Sequence, residues 1–285
     1  MAEHWYKNAL LYCLDVKTFA DGNGDGIGDF IGLTDKLQYL AGLNVDCVWL
    51  QPFHPSPWRD NGYDITDYYN VDPRFGTLGD FVEFSRSARD KGLRVMIDLV
   101  VNHTSIDHPW FQAARSDPSS PFRDFYVWSD TKPADAAEGT VFPGEQNSTW
   151  TWDEAAGAWF YHRFFDFQPD LNIANARVRG EILKIMGFWT QLGVSGFRMD
   201  AVPFVIGAKG PKVVYPTERF DMLRQGNVIR IRNKQQPRPL VIRITRSARF
   251  GVRSERVDSA MPISPSLPPR SISRSKPLSD RLAPS

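Results

Sequence analysis

The stretch Gly196-Phe197-Arg198-Met199-Asp200 places an arginine and a carboxylate two positions apart at the end of a strand-like run. Residues i and i+2 of a strand point to the same face, so Arg198 and Asp200 are predicted to meet above the carboxyl end of that strand. A neighbouring guanidinium keeps a carboxylate ionised at neutral pH. Such a carboxylate can attack a sugar carbon as a nucleophile, although a structural salt bridge is the alternative for the same spacing.

Side chains that suit a sugar follow two other strand-like runs. Tyr63 and Asp64 stand in the loop after the second run, where a tyrosine can stack on a sugar face while its neighbour accepts hydrogen bonds from two hydroxyls. His103 follows the third run, and its Nε2 can donate to a hydroxyl of the same sugar. A surface turn at Tyr63 and Asp64 and a packed histidine at 103 are the structural alternatives.

The segment 21–29 has the oxygen spacing of a calcium loop. Side-chain oxygens would come from loop positions 1, 3, 5 and 9, which are Asp21, Asn23, Asp25 and Asp29. Position 7, Ile27, would supply its backbone carbonyl. Position 12 is Gly32, so the loop is not a complete EF-hand. We predict bound Ca²⁺ here; the alternative is an Asp/Gly-rich turn with a helix cap at Asp29.

Apolar runs typical of buried strands alternate with helical patterns along the chain. The predicted strands cover residues 9–16, 45–50, 94–101 and 195–199, and the predicted helices cover 29–40, 78–90 and 177–192, with a fourth helix from about Thr217. Strands that alternate with helices indicate an α/β protein with a parallel sheet and helices outside it.

Four segments together resemble the α-amylase family (glycoside hydrolase family 13): Gly62-Tyr63-Asp64, Asp98 to His103, Gln168 to Asn172, and Gly196 to Asp200. The resemblance covers about residues 4–225. Residues 102–111 and 126–131 are most similar to the trehalose synthase branch of the family. The resemblance implies the N-terminal half of a (β/α)8 TIM barrel, with a small subdomain inserted after the third strand.

The resemblance also implies roles for individual residues. Asp200 matches the nucleophile that forms a covalent glycosyl-enzyme intermediate, and Arg198 matches the residue that orients it. Tyr63, Asp64 and His103 match the subsite for the non-reducing glucose, and Gln168 matches a position near the substrate. Asn102 and Asp170 match a second calcium site that parts of the family possess, which we leave open.

We therefore expect four regions in the chain. They are a first part of the barrel (1–101), an inserted subdomain (102–172), a continuation of the barrel (173–225) and a basic Arg/Ser/Pro-rich tail (226–285). The barrel regions hold about 155 residues, whereas a complete (β/α)8 barrel needs roughly 250, so only four strand–helix units are counted.

The tail differs from the rest of the chain in charge and composition. It contains 11 Arg and two Lys against three acidic residues, so its formal net charge is +10, and that of residues 1–225 is −9. With ten Ser, eight Pro and neither Trp nor Tyr, it is predicted to be disordered, and a shift of reading frame near Gln225 is one hypothesis for its origin. We do not expect nucleic-acid binding through this tail, because only Phe250 offers an aromatic ring for stacking.

Cysteine content and hydropathy favour a cytoplasmic protein without a membrane segment. Cys13 and Cys47 lie in apolar runs and are expected to be buried free thiols. No stretch approaches about 18 apolar residues, and the run 9–14 is too short for a signal sequence. The oligomeric state cannot be predicted from these features.

The expected parent activity is that of a retaining α-glucoside enzyme, closest to a trehalose synthase that converts maltose into trehalose by glucosyl transfer within a closed site. Small α-glucosides such as maltose are the expected substrates. An α-glucosidase or oligosaccharide hydrolase of the same family is the alternative. The family supplies its general acid from a Glu after the fifth strand and a further Asp after the seventh, and neither is found in this chain. A catalytically inactive fragment is therefore a third possibility.

Overall fold

A computed structural model of the protein describes residues 5–142 and 144–205, together with the backbone of three short strands between residues 220 and 243. Its main sheet contains β1 (Leu11–Leu14), β2 (Cys47–Leu50), β3 (Arg94–Leu99) and β7 (Gly196–Met199). These four strands are parallel and lie in the order β1-β2-β3-β7. All four are rich in apolar residues, which is typical of parallel strands that carry helices on their outer face.

Helices follow the first three strands. They are α1 (Val16–Phe19), α2 (Phe30–Asp35) and α3 (Leu37–Gly42) after β1, α4 (Leu78–Asp90) after β2, and α6 (Ala176–Gln191) before β7. Thr77 and Asp80 form a capping box at the start of α4, and the Asn175 side chain accepts a hydrogen bond from the N–H of Arg177 at the start of α6. These side chains satisfy N–H groups that a helix leaves unpaired in its first turn, and so fix where α4 and α6 begin.

The core between sheet and helices is strongly aromatic. Trp189 of α6 is fully buried, with its ring centroid 4.9 Å from that of Phe81 and 5.3 Å from that of Phe53, in edge-to-face contacts. Its Nε1 donates to the carbonyl oxygen of Tyr68 at 2.7 Å. Such contacts tie α6 to α4 and to the loop after β2.

A small subdomain lies between β3 and α6, as predicted. It contains α5 (Pro109–Ser116) and the strands β4 (Trp128–Ser129), β5 (Trp150–Asp153) and β6 (Ala158–Tyr161), which form an antiparallel sheet in the order β4-β6-β5. A β-bridge joins His103 to Asp170, so the chain leaves the barrel and returns to it at one place. The described part of the chain confirms the predicted half barrel with its inserted subdomain.

The backbone beyond α7 (Val202–Val205) forms strands where the sequence predicted something else. The strands β8 (Phe220–Gln225), β9 (Val228–Asn233) and β10 (Leu240–Arg243) form an antiparallel sheet in the order β10-β9-β8. The fourth helix, predicted from about Thr217, is wrong at residues 220–225, which form β8 and pair with β9. β9 and β10 fall in the range 226–285, for which disorder was predicted; the other residues of that range lie outside the described residues.

The two cysteines differ in exposure. Cys47 is buried on β2, but Cys13 is exposed, so the prediction that both thiols are buried is wrong for Cys13. The reason is that β1 pairs only with β2 among the described strands and lies at the edge of the sheet. Within the described residues, no helix combines the length and apolar content needed to cross a membrane.

Candidate active site

A charged cluster lies where β3 and β7 end. An Nη1 atom of Arg198 is 2.7 Å from an Asp200 carboxylate oxygen and 2.9 Å from an oxygen of Asp98, and it donates to the Tyr63 hydroxyl at 3.3 Å. The Arg198 and Asp200 side chains are 36% and 20% exposed, whereas that of Asp98 is fully buried. One guanidinium thus holds two carboxylates, and only Asp200 retains access from solvent.

The backbone after Asp200 is held in an unusual conformation. Asp200 N–H still donates to the Leu99 carbonyl on β3, and the next residue, Ala201, has a φ of 54°. A non-glycine residue in the left-handed region costs free energy, and such residues are concentrated at functional sites. The turn at Ala201 ends β7 abruptly and leaves the Asp200 side chain at the rim of the sheet.

Asp98 joins Arg198 to the ring of Tyr63. The register of β3 and β7 places Asp98 beside Arg198, and the Tyr63 hydroxyl is 3.4 Å from the second Asp98 carboxylate oxygen. Burial raises the pKa of the Asp98 carboxyl to about 6; the hydrogen bond from Arg198 opposes this shift, and the nearby Asp200 carboxylate adds to it. Asp98 opens the motif Asp98 to His103, but its link between Arg198 and Tyr63 was not predicted from the sequence.

This raised pKa predicts that stability depends on pH through Asp98. The folded state binds this proton more tightly than an unfolded Asp, whose ordinary pKa is 3.8, so the stabilisation is complete below about pH 4 and is lost as the pH rises through about 6. In Asp98→Asn this dependence should be absent. We expect the unfolding free energy of the wild type, measured in urea relative to Asp98→Asn, to decline from pH 4 to pH 6.5. A difference that is constant or increases over this interval would contradict the raised pKa.

His103 lies on the other side of Tyr63. Its ring is buried, with Nε2 3.2 Å from the Tyr63 carbonyl oxygen and Nδ1 3.3 Å from the Asn102 amide nitrogen. The Phe164 ring lies 5.3 Å from the imidazole. His103 therefore positions the loop that carries Tyr63, and its hydrogen bond to a sugar hydroxyl stays a prediction.

Asp64, which is predicted to bind sugar hydroxyls, follows Tyr63 directly and lies buried in its own loop. Its carboxylate is fully buried and accepts hydrogen bonds from Ser56 Oγ and from the N–H groups of Arg59 and Asp60. These bonds satisfy both oxygens within the loop, so Asp64 stabilises the turn that presents Tyr63. These bonds are those expected of the structural alternative, a Gly-Tyr-Asp turn, and sugar binding by Asp64 stays a prediction.

Gln168 is also a buried residue. Its Nε2 donates to a carboxylate oxygen of Asp60 at 2.8 Å, and its Oε1 accepts from the N–H of Phe165 at 3.4 Å. Asp60 is half-buried and its carbonyl accepts the N–H of Tyr63, so Gln168 connects the subdomain to the loop of Tyr63. Asp60 was not predicted as a site residue; it lies three positions before Tyr63 and is more exposed than Asp64.

The predicted calcium loop is closed by its own side chains. Asp21 accepts the N–H groups of Asn23, Gly24 and Gly26, and Asp25 accepts that of Ile27. Asp21, Asn23 and Asp25 are exposed and present oxygen atoms, which suits the preference of Ca²⁺ for oxygen ligands.

Asp29 is used differently from the other predicted ligands. It is buried, and its carboxylate accepts the N–H groups of Gly22 and Gly32, which makes it the cap of α2. Within the described ranges, no three His, Cys, Asp or Glu side chains are close enough together to hold a metal ion. The proposed ligand set therefore depends on the Asn23 side chain and on backbone carbonyl oxygens.

Asn102 and Asp170 are in direct contact where the barrel meets the subdomain. The Asn102 amide donates to an Asp170 carboxylate oxygen at 2.9 Å, and the N–H of Arg163 donates to the same oxygen at 2.9 Å. This arrangement joins the two ends of the inserted segment, and the second calcium site stays open.

Comparison with known proteins places this site in a family. Residues 15–240 match the catalytic domain of α-amylase, which is more than half of the chain. The chain belongs to the α-amylase family. This family match extends somewhat beyond residue 225, where the resemblance was predicted to end.

Individual relatives of the α-amylase family match over most of this chain. The trehalose synthase of Pimelobacter sp. is 47% identical over 221 residues, covering 78% of this chain and 39% of that protein. The oligo-1,6-glucosidase of Heyndrickxia coagulans is 45% identical over 201 residues, covering 70% of this chain and 36% of that protein. The solved structure of trehalulose synthase MutB is 41% identical, with a TM-score of 0.67, covering 71% of this chain and 36% of that one. The chain thus spans about a third of the length of the curated relatives it matches.

Proposed function

We propose that the chain carries the nucleophile side of the active site of a retaining α-glucoside enzyme, of the trehalose synthase type. The observation that carries the proposal is the 2.7 Å contact between Arg198 and Asp200 at the end of β7. A guanidinium at this distance orients the carboxylate, and an oriented carboxylate oxygen can attack a sugar carbon. The similarity to trehalose synthases at 46–50% identity supports this choice of branch.

The proposed reaction has two steps at the anomeric carbon of the non-reducing glucose of maltose. An Asp200 oxygen forms a bond to this carbon while the glycosidic C–O bond breaks, and the leaving oxygen takes a proton from a carboxylic acid on the opposite side. In the second step, a different hydroxyl of the released glucose attacks the same carbon, returns its proton to the acid and frees Asp200. The acid belongs to the remaining part of a family barrel.

Tyr63 and Asp60 are the groups we propose to bind the glucosyl unit. The Tyr63 ring is half-buried beside Arg198, which suits stacking on a sugar face, and Asp60 can accept hydrogen bonds from sugar hydroxyls. Arg198 holds Asp200 in place, and the buried Asp98 fixes Arg198 from behind. Phe164 and Phe204, whose ring centroids are 5.5 Å apart, provide an apolar wall near His103.

Hydrolysis of short α-glucosides is the second candidate, because the oligo-1,6-glucosidase is nearly as similar to this chain as the trehalose synthases are. The two reactions share the first step and differ in whether glucose or water attacks the intermediate.

An enzyme with a complete barrel tests the proposal. We would join residues 1–205 of this chain to the Pimelobacter trehalose synthase from the residue aligned after Val205, and call the product the fused enzyme. The proposal predicts conversion of maltose into trehalose, measured by chromatography of the products. Release of glucose alone would support the hydrolase, and a folded fused enzyme without activity towards maltose or an aryl α-glucoside would contradict both candidates.

We also propose that Asp21, Asn23, Asp25 and the carbonyl of Ile27 bind Ca²⁺, which would stabilise the loop between α1 and α2. Saturating calcium should raise the Tm by about 5 °C relative to chelator, because a ligand that binds only the folded state stabilises it. The double variant Asp21→Ala, Asp25→Ala should lose this response, and Asp117→Ala, an exposed Asp in another turn, should keep it. An unchanged Tm of the wild type in calcium would refute the site.

A further inference from the structure

The loop 52–64, which presents the proposed sugar-binding groups, is bonded to the inserted subdomain at two neighbouring residues. Gln168 of the subdomain donates to an Asp60 carboxylate oxygen at 2.8 Å. An Nη2 atom of Arg59 donates to an Asp107 carboxylate oxygen, also at 2.8 Å. We call these contacts the joint between the loop and the subdomain.

Arg59 also caps a stack of aromatic rings in the subdomain. Its guanidinium carbon lies over the Phe167 ring, 5.7 Å from the ring centroid. Phe167 is stacked on Phe165, with 5.1 Å between centroids and 8° between planes, and Phe165 is stacked on Phe142 at 4.8 Å. A cation over an aromatic face is attracted by the ring quadrupole, so an ion pair and a ring contact together hold Arg59 to the subdomain.

The two contacts of the joint differ in burial. The Arg59 and Asp107 side chains are 42% and 45% exposed, whereas Gln168 is fully buried beside Asp60. Removing Arg59 therefore opens the side of the joint that water reaches, and it leaves the inner contact between Gln168 and Asp60 in place.

We propose that Arg59 is a positioning residue that favours transfer of the glucosyl unit to the released glucose over its transfer to water. The inference rests on the proposed function, because it requires the intermediate on Asp200. In hydrolysis, a water oxygen bonds to the anomeric carbon, the bond to Asp200 breaks, and the water proton goes to the carboxylate form of the acid. Trehalose forms only if the released glucose stays in place and water is excluded, and a closed joint beside Asp60 supports both conditions.

Arg59→Leu in the fused enzyme tests this inference through its products. We expect the ratio of glucose to trehalose formed from maltose to rise about fivefold, the scale of an exposed ion pair with a ring contact, while kcat for maltose consumption changes less than about twofold. Labelled glucose added to the solution should also enter trehalose more readily. Arg59→Lys, which keeps the charge opposite Asp107, should restore part of the wild-type ratio, and circular dichroism verifies that both variants fold.

Arg74→Leu is the matched control. Arg74 is 41% exposed, pairs with Asp72 at 2.8 Å and lies over the Trp58 ring, 4.6 Å from its centroid, so it makes the same kinds of contact as Arg59. These partners belong to the same connection between β2 and α4 as Arg74 itself, and neither is in the subdomain. Its loss should lower stability and leave the product ratio unchanged.

Hydrogen exchange of the 285-residue chain tests the joint without any activity. Asp107→Asn changes only the subdomain side, and we expect amide exchange in the loop peptide 58–64, read by mass spectrometry, to become at least about threefold faster. Unchanged exchange in this variant, an unchanged product ratio in Arg59→Leu, or an equal change in Arg74→Leu would overturn the inference. A wild-type fused enzyme that releases glucose alone would overturn the proposed transfer and with it the role of Arg59 in product choice. Faster exchange in Asp107→Asn would then still establish the joint, so the two failures are distinguishable.

Discussion

Replacing Asp200 by Asn in the fused enzyme is expected to lower kcat/KM for maltose by about 10⁴-fold or more. The amide cannot form the covalent bond to the anomeric carbon, and it also removes the charge that pairs with Arg198 at 2.7 Å. Steady-state kinetics with maltose and with an aryl α-glucoside would measure the loss. Both substrates should be affected, because both pass through the same glycosyl-enzyme intermediate.

Asp64→Asn is the control variant for Asp200→Asn. The Asp64 carboxylate accepts hydrogen bonds from Ser56, Arg59 and Asp60 of its own loop, so its loss should lower stability and should reduce kcat/KM far less than Asp200→Asn once the protein is folded. Equal losses in the two variants, with both proteins folded, would contradict the assignment of Asp64 to the turn and of Asp200 to the reaction.

Trp189→Ala is expected to lower the free energy of unfolding by about 3–5 kcal/mol, measured by equilibrium urea denaturation. The substitution removes a fully buried indole that contacts Phe53 and Phe81, and it leaves the carbonyl of Tyr68 without its 2.7 Å hydrogen bond. Since domains are stable by about 5–15 kcal/mol, this loss can leave the variant mostly unfolded.

Trp152→Ala is the matched control for Trp189→Ala. Trp152 lies on β5 of the subdomain and is 39% exposed, so its truncation should cost no more than about 1 kcal/mol. A similar loss of stability for both variants would mean that the aromatic core between α6, α4 and the sheet is not the main source of stability.

Contacts between residues of the same strand could be predicted from the sequence. Contacts that depend on the pairing of two strands could not. The contact between Arg198 and Asp200 follows from their i, i+2 spacing in a strand, which is visible in the sequence. The part played by Asp98 depends on the register between β3 and β7, which are separated by the whole inserted subdomain. No local pattern determines that register, so the role of Asp98 required the structure.

The incorrect predictions also have physical causes. Cys13 lies in an apolar run, yet burial of an edge strand depends on a neighbour that the described sheet does not include. Residues 220–225 form a strand because of pairing with β9, not because of their own periodicity.

The most direct test of the central claim is to trap the covalent intermediate on Asp200. The fused enzyme would be incubated with a fluorinated α-glucosyl fluoride, whose fluoride leaves readily while the ring fluorine slows release of the sugar from the protein. Peptide mass spectrometry should find one fluoroglucosyl group on Asp200, maltose should slow its appearance, and Asp200→Asn should prevent it. A fused enzyme that turns over maltose yet carries the label on another residue, or retains its activity as Asp200→Asn, would contradict the account.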